Sequence, residues 1–386
     1  MCGLCGAGAE PMTQETLIEA RIRRGRAPDP TSVHDIATAD AARLGDGGVE
    51  SARAELASEV LGLGPLEPCV ADPDVTDVLV NGDGSVWVDR GGGGVDRADV
   101  DLDPPSARRL AVRLAGLAGR RLDESQAWVD GLLPNGIRLH AILPPLVEGG
   151  AHVSLRVPRV SGVGLEVLRS RRMFDRDVED LLRKLVLARC SFVVTGGTGC
   201  GKTTLLAAML AAVPGAERIV VVEDVRELAV AHAHVVRLQG RGANVEGQGA
   251  VGLVDLVRQA LRMRPDRLVV GEVRGAEVRE MLAALNTGHE GGCGTLHANA
   301  PADVPRRFDA LGALAAMPRD AVQTQLASAV QVVVHLERGV AGRRVASLSV
   351  LRWAAGETVC DLAMDASSGR RGPGWDRLSA LTGARP

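Results

Sequence analysis

The sequence predicts an α/β chain, a domain of parallel sheet with flanking helices, preceded by a smaller α+β domain. Three observations carry this. Beyond residue 175, stretches of helical period alternate with short β-branched apolar runs. Between residues 77 and 157, short alternating strands with two turn signals surround one helix. The 386 residues are 46% hydrophobic, which supplies more than one core.

The elements follow in order. Residues 1–30 are small, polar and broken by Pro28-Asp29-Pro30, a flexible leader. Residues 31–64 carry helical patterning at 33–44 and 49–61, separated by Gly45-Asp46-Gly47-Gly48, and read as a helical adaptor. The α+β domain spans 65–158. Its strands 77–80 and 85–89 flank Asn81-Gly82-Asp83-Gly84, and a helix is expected at 106–119. A second hairpin, 128–133 with 137–143, has Asn135-Gly136 at its centre and predicts a type I′ turn, with a last strand at 152–157. Residues 159–174 read as a linker. In the domain 175–366, buried parallel strands are expected at 192–195, 219–222 and 268–270. Helices are expected at 175–188, 202–212, 252–263, 276–285 and 302–314. The Gly- and Arg-rich tail, 367–386, is expected to fray.

A net charge of -3 with interspersed signs offers no positive field for nucleic acid, so no stable nucleic-acid binding is expected. No apolar run approaches the roughly 20 residues that span a bilayer, and no secretion signal opens the chain, which predicts a cytoplasmic protein. The 7 scattered cysteines fit no disulfide framework, and Cys2-x-x-Cys5 lacks a second ligand pair for zinc. Lys184 and Lys202 are the only lysines among 45 basic residues, an arginine bias expected of a GC-rich genome.

The segment Gly196-Gly197-Thr198-Gly199-Cys200-Gly201-Lys202-Thr203, followed by Thr204, fits G-x-x-x-x-G-K-[ST] between an apolar strand and a helix. That context predicts a phosphate-binding loop for ATP with Mg²⁺. Glycines let the backbone wrap the phosphates with its N–H groups pointing inward, and the helix N-terminus adds positive potential. Lys202 would reach the β and γ phosphates, and the Thr203 hydroxyl would hold the magnesium. The alternative is a glycine-rich turn that binds nothing. A lysine at the positive end of a helix dipole argues against that unless an anion offsets it. Cys200 stands at a variable loop position, either inert or a redox switch.

A hydrolase also needs a group to orient the attacking water. Glu272 ends the apolar run Leu268-Val269-Val270-Gly271 and is assigned that role, with a plain ion pair to Arg274 as the alternative. Glu223 and Asp224 end a second apolar run and are assigned to the magnesium shell, because Gly271 stands where many such ATPases carry an aspartate. Asp224 with Glu227 alternatively forms a helix-capping box. His289 and His297 are candidates to sense the γ phosphate. His232 and His234 are read as structural.

Together these residues resemble the secretion ATPases of the type II and type IV superfamily, especially the Tad (Flp) pilus assembly ATPases. The resemblance rests on the loop, the acidic box 223–227, LRMRPDRLVVGEVRG at 261–275 and NTGHEGGCGTLHANAP at 286–301. Upstream, GPLEPCVADPDVTDVLVNG from Gly64 and GIRLHAILPP from Gly136 match that family's N-terminal domain. Glu290 and Cys293 depart from its usual histidine box, and the arginine-rich usage suggests an actinobacterial branch. The resemblance implies a RecA-like ATPase domain in a homo-oligomeric ring, usually a hexamer, with nucleotide between the two domains. The ring would sit at the inner face of the cell membrane on a platform protein and drive assembly or retraction of pilin fibres. It also implies arginines reaching the nucleotide, for which Arg138 and Arg156 sit in matching segments; each could equally be a surface arginine. Two other readings stay open: a conjugal DNA-transfer ATPase, and a nucleotide-dependent scaffold without turnover. No asparagine precedes a lysine, so the guanine-recognition motif N-K-x-D is absent.

Overall fold

The computed structural model describes residues 62–91, 94–158, 162–242, 248–339 and 342–383. The leader, both adaptor helices, Cys2 and Cys5 lie outside the described residues. The chain divides into two compact units, Met1–Arg159 and Val160–Pro386.

The first unit contains helices α1 (Glu67–Ala71) and α2 (Pro104–Leu117). Its strands are β1 (Asp77–Val80), β2 (Ser85–Asp89), β3 (Val95–Asp101), β4 (Trp128–Leu132), β5 (Arg138–Ile142) and β6 (His152–Arg156). They form one antiparallel sheet in the order β3-β2-β1-β6-β5-β4. Helix α2 starts where Asp103 accepts a hydrogen bond from Ser106 N at 2.6 Å, with Pro104 at the first position, where a missing N–H costs nothing. Ala107, Leu110, Ala111, Leu114 and Ala115 recur at helical spacing and are buried against the sheet core. Edge strand β3, VDRADVD, has no alternating apolar signal and is mostly exposed, so periodicity does not reveal it.

The second hairpin turn differs from expectation. Gly136 N donates to Leu133 O and Leu133 N to Ile137 O, both at 2.8 Å, so Pro134 and Asn135 are the central residues. Gly136 has φ +84° and Asn135 has no positive φ, which makes this a three-residue loop closed by a bulge and not type I′. Pro134 decides it, because its ring holds φ negative at the first central position.

The second unit contains β7 (Phe192–Gly196), β8 (Ile219–Glu223), β9 (Val235–Gln239), β10 (Arg267–Val270), β11 (Cys293–Leu296), β12 (Val332–Gly339), β13 (Gly342–Ala354) and β14 (Glu357–Asp365). Their order is β14-β13-β12-β7-β11-β10-β8-β9. The six from β9 to β12 are parallel, and β13 and β14 extend them antiparallel. One face is covered by α3 (Leu165–Ser170), α4 (Arg176–Leu187), α5 (Lys202–Leu210) and α10 (Trp375–Thr382). The other carries α6 (Leu253–Leu261), α7 (Val278–Asn286), α8 (Val304–Leu314) and α9 (Arg319–Ala329). Burial on both faces explains the unbroken apolar runs: Val194 packs on one side and its neighbour Val193 on the other. No helix among the described residues is long and apolar enough to cross a membrane.

Two stretches differ from their sequence reading. Within the expected linker, Leu165, Leu168, Met173 and Phe174 are buried in the second unit's core. Within the expected frayed tail, α10 buries Leu378 and Thr382, and Arg371 stacks 4.2 Å over the Trp375 ring. Both stretches are ordered by packing onto a neighbouring surface. Helix α9 and the strands beyond residue 330 were likewise absent from the sequence reading.

The most demanding core residue is Arg267 at the start of β10, with 1% of its side chain exposed. Its guanidinium donates to Glu217 Oε2 at 2.6 Å and to the Val186 carbonyl at 2.9 Å. Removing one partner of a buried pair strands the other. Arg267→Met is therefore expected to lower unfolding free energy by about 3 kcal/mol in urea titration; a loss below about 1 kcal/mol would show the pair to be dispensable.

Candidate functional site

Strand β7 ends at Gly196 and α5 begins at Lys202, so the glycine loop joins a buried central strand to a buried helix. Its glycines answer to geometry. Gly201 caps α5 at φ +97°, and a methyl group on Gly196 would lie 2.4 Å from the Leu336 carbonyl and 2.7 Å from Cys200 Sγ. The Cys200 thiol is thus buried packing against the loop's first turn. Among the described residues, no backbone N–H from Gly197 to Gly201 bonds another backbone group, which leaves a row of donors at a helix N-terminus.

Lys202 is 7% exposed. Its Nζ donates to the Gly196 and Gly197 carbonyls at 3.0 and 2.8 Å and lies 3.4 Å from His297 Nδ1. Burial pulls its pKa below the ordinary lysine value, with Cys200 and Glu272 opposing. A cation so desolvated at the positive end of a helix is what a bound polyanion would relieve. Thr203 and Thr204 follow in the first turn of α5, partly exposed. Donor row, buried ammonium and adjacent hydroxyl together fit a magnesium-bound triphosphate.

The neighbouring strands deliver the other groups to the same carboxyl edge, where open α/β sheets bind ligands. In the order β7-β11-β10-β8, the edge presents the loop, then His297 just past β11, Glu272 just past β10, and Glu223 ending β8. His297 Nε2 lies 2.8 Å from Glu272 Oε1. Nε2 must therefore carry the proton it donates to the carboxylate, leaving the Nδ1 lone pair toward the Lys202 ammonium. Burial and then the Lys202 charge hold the imidazole below its ordinary pKa of 6.5, against Glu272. Lys202, His297 and Glu272 thus form one polar line. The turn bearing Glu272 is pinned, since Gly271 N donates to Val222 O at 2.9 Å and Val273 N to Thr295 O at 2.9 Å. Thr295 Oγ1 donates to Gly271 O at 2.7 Å. Arg274, the alternative partner of Glu272, forms a long ion pair with it at 3.8 Å and binds Asp224 more closely.

The acidic box folds differently from expectation. No helix follows Asp224, so Asp224 and Glu227 form no capping box. Glu223 Oε1 instead accepts from Glu227 N at 3.0 Å and Leu228 N at 2.9 Å, while its Oε2 is buried with no partner among the described residues. Burial raises its pKa despite those two bonds. Asp224, expected beside it at the magnesium, is engaged by Arg274 Nε at 3.0 Å. Gly271 makes room for this: a methyl group there would lie 2.6 Å from Glu223 Cγ. The glutamate of β8 fills the space that a side chain at 271 would need.

Of the remaining candidates, His289 sits 3.3 Å from the Ala284 carbonyl at the end of α7 and is not joined to Lys202 as His297 is. His232 and His234 bond locally, to the Pro214 carbonyl and Arg218. Arg138 and Arg156 belong to the first unit, opposite each other on β5 and β6, and Arg156 Nε donates to Asp77 at 3.2 Å. The sequence reading missed His335 on β12. This buried ring bonds Thr195 Oγ1 at 2.9 Å and the Asn299 backbone, tying the loop's strand to the segment after His297. It also missed Met173, whose Cε would lie 3.1 Å from a methyl group on Gly201. Neither stands in a motif: sheet pairing brings in His335, and the turn between α3 and α4 brings in Met173. The contact at 271 has a consequence: Gly271→Ala is expected to cost about 1–3 kcal/mol of stability by overpacking, most of it recovered in a Glu223→Ala background. Simple additivity in that double-mutant cycle would mean the two positions do not meet.

The chain is similar to several known proteins. A protein of Mycobacterium tuberculosis named for conjugal transfer is 54% identical over 321 residues, covering 81% of this chain and 91% of that one. The conjugal transfer protein TrbB of Rhizobium radiobacter is 32% identical over 284 residues, covering 72% and 84%. The solved structure of the Yersinia pseudotuberculosis ATPase DotB matches at a TM-score of 0.53 and 17% identity, covering 74% of this chain and 77% of that one, a likeness of fold. Residues 59–371 match the family described as Type II/IV secretion system protein. With a buried lysine in a glycine-rich loop, acids and a histidine at the same sheet edge, and a family match over most of its length, the chain belongs to the type II/IV secretion ATPase superfamily.

Proposed function

We propose that the protein hydrolyses ATP and that this turnover drives a type II/IV secretion machine. The observation that carries the reading is the line Lys202–His297–Glu272 beside a loop of open backbone donors. Lys202 would leave the Gly196 and Gly197 carbonyls for the β and γ phosphates, where its charge offsets what develops on the transferred phosphoryl group. Glu272, fixed on its pinned turn, would orient the attacking water. His297, neutral and donating to Glu272, would hold that carboxylate and report the position of Lys202. Thr203 would hold a magnesium ion, with Glu223 at the edge of its shell, and the ion would supply charge to offset that of the phosphates. Arg138 and Arg156 keep their assignment as nucleotide-reaching arginines on the strength of the motif match alone.

The finer reading, carried by the motif resemblance, is a hexameric motor for a Tad (Flp)-type pilus, held peripherally at the inner face of the cell membrane by a platform protein. A conjugal DNA-transfer motor is the second reading, favoured by the names of the relatives at 54% and 32% identity. The near-neutral charge of this chain supports a motor that does not itself grip DNA.

Steady-state ATPase assays test the chemistry. Lys202→Ala is expected to abolish turnover, and Glu272→Gln to lower kcat by about 10²–10⁴-fold with little change in KM. A folded wild-type assembly that never hydrolyses Mg-ATP would end the reading. The pH profile has a defined sign. His297 resists protonation in the folded state, so its contribution is complete above 6.5 and is lost as pH falls through the lower folded value. Activity should therefore show an acid limb below 6.5 that His297→Gln removes; an unchanged limb in that variant would exclude the histidine as its source. For the second reading, filter binding to double-stranded DNA is expected to show no salt-dependent complex, and a steep salt slope would favour the conjugal motor with direct contact.

A further inference from the structure

Strand β12 runs beside β7 up to the loop, with Val334 next to Val194, His335 next to Thr195 and Leu336 next to Gly196. Its hairpin with β13 then follows the loop itself. A methyl group on Gly199 would lie 3.7 Å from Arg338 Nη1, and one on Gly201 would lie 3.5 Å from Arg343 Cδ. His335 thus stands where strand gives way to loop. It interrupts the apolar run Val332–Leu336 and is 3% exposed, a costly place for an imidazole unless its nitrogens are bonded. Nδ1 lies 2.9 Å from Thr195 Oγ1, and the ring also donates to the Asn299 backbone. The pairing of β12 with β13 shifts at the same level, His335 facing Ser347 and Leu336 facing Val345. Ala346 is the extra residue, a bulge of the kind that re-aims a strand next to a site.

These bonds close a circuit. Thr195 precedes Gly196, whose carbonyl accepts the Lys202 ammonium at 3.0 Å, and Lys202 Nζ lies 3.4 Å from His297 Nδ1. Asn299 comes two residues after His297, past the end of β11. The His335 ring joins the two ends of that path. We infer that His335 is a positioning residue for ATP hydrolysis: acting through Thr195 and Asn299, it fixes the phosphate loop against His297, and so aligns the line Lys202–His297–Glu272 on the nucleotide. This rests on the ATPase reading above. A neutral imidazole suits the task, because one rigid ring carries an acceptor for the Thr195 hydroxyl and a donor for a backbone carbonyl. Leucine would fill the space without making the tie, whereas glutamine can offer both functions.

The test compares His335→Leu, His335→Gln, Thr195→Val and the double variant His335→Leu/Thr195→Val in the full chain. Val332→Ala is the control, at the start of the same strand and on its opposite face. Steady-state ATPase rates, Mg-ATP affinity by isothermal titration and melting temperature without nucleotide are measured on each. His335→Leu and Thr195→Val are each expected to lower kcat about tenfold, since a small misplacement of reacting groups is felt at that scale. Affinity for Mg-ATP should stay within about twofold, the mark of a loss confined to the transition state. The double variant should fall no further than the worse single one, because a shared tie is lost only once. His335→Gln should recover part of the rate, and Val332→Ala should melt earlier with kcat unchanged. An unchanged kcat in Thr195→Val, while Lys202→Ala is inactive, would overturn the positioning role and leave the ATPase reading intact, even if His335→Leu fails to fold. A kcat in Val332→Ala that falls as far for the same drop in melting temperature would also overturn it, assigning His335 to the core alone. A folded wild-type chain that never hydrolyses Mg-ATP would remove both readings together.

Discussion

The buried ammonium of Lys202 is the constraint around which the second unit is arranged. A cation at the start of a helix faces the positive end of the dipole and, when desolvated, must find acceptors within the protein. Here it has two backbone carbonyls of its own loop and the lone pair of His297. Those partners are ones a phosphate can replace, because carbonyl dipoles hold the charge more weakly than an anion would. The histidine must stay neutral for the contact to exist, and its bond to Glu272 selects the tautomer that permits it.

The sheet gives this arrangement its rigidity. Strands β7, β8, β10 and β11 are buried on both faces, so close packing against helices on each side holds them in place. Arg267 and Glu217 lock the entry of β10 at the opposite end from Glu272. Thr295 and Val222 pin the exit. On the far side of β7, His335 joins Thr195 to the segment after His297, and burial keeps that ring uncharged. The functional edge is therefore held from both flanks by groups that take no part in it.

An exchange between neighbouring strands accounts for the acidic side of the site. Gly271 leaves empty the position next to Glu272, and the side chain of Glu223 enters it from β8. The glutamate gives up one oxygen to two backbone N–H groups that turn the chain, which is why no helix begins there. Its second oxygen lies buried without a partner among the described residues, the signature of a group whose remaining capacity serves a ligand or is spent as strain.

Local pattern alone determined much of this protein. Glycine spacing, the lysine after it and the apolar strand before it marked the strand–loop–helix turn at 196–203, because so tight a turn permits few residues. Period-2 and period-3.6 patterning placed β1, β2, α2 and the helices α4 to α8 to within a few positions. Tertiary structure decided the rest. Edge strand β3 and helix α10 take their order from neighbours, and Pro134 outweighed the Asn135-Gly136 signal at the hairpin. Which histidine meets Lys202, where Glu223 points, and that Arg338, Arg343 and His335 reach the loop all depend on strand order. Residues more than 130 positions apart, such as Thr195 and His335, became partners because β12 lies beside β7 in the sheet. Sequence periodicity records which face of an element is buried, but carries no record of which element lies next to it.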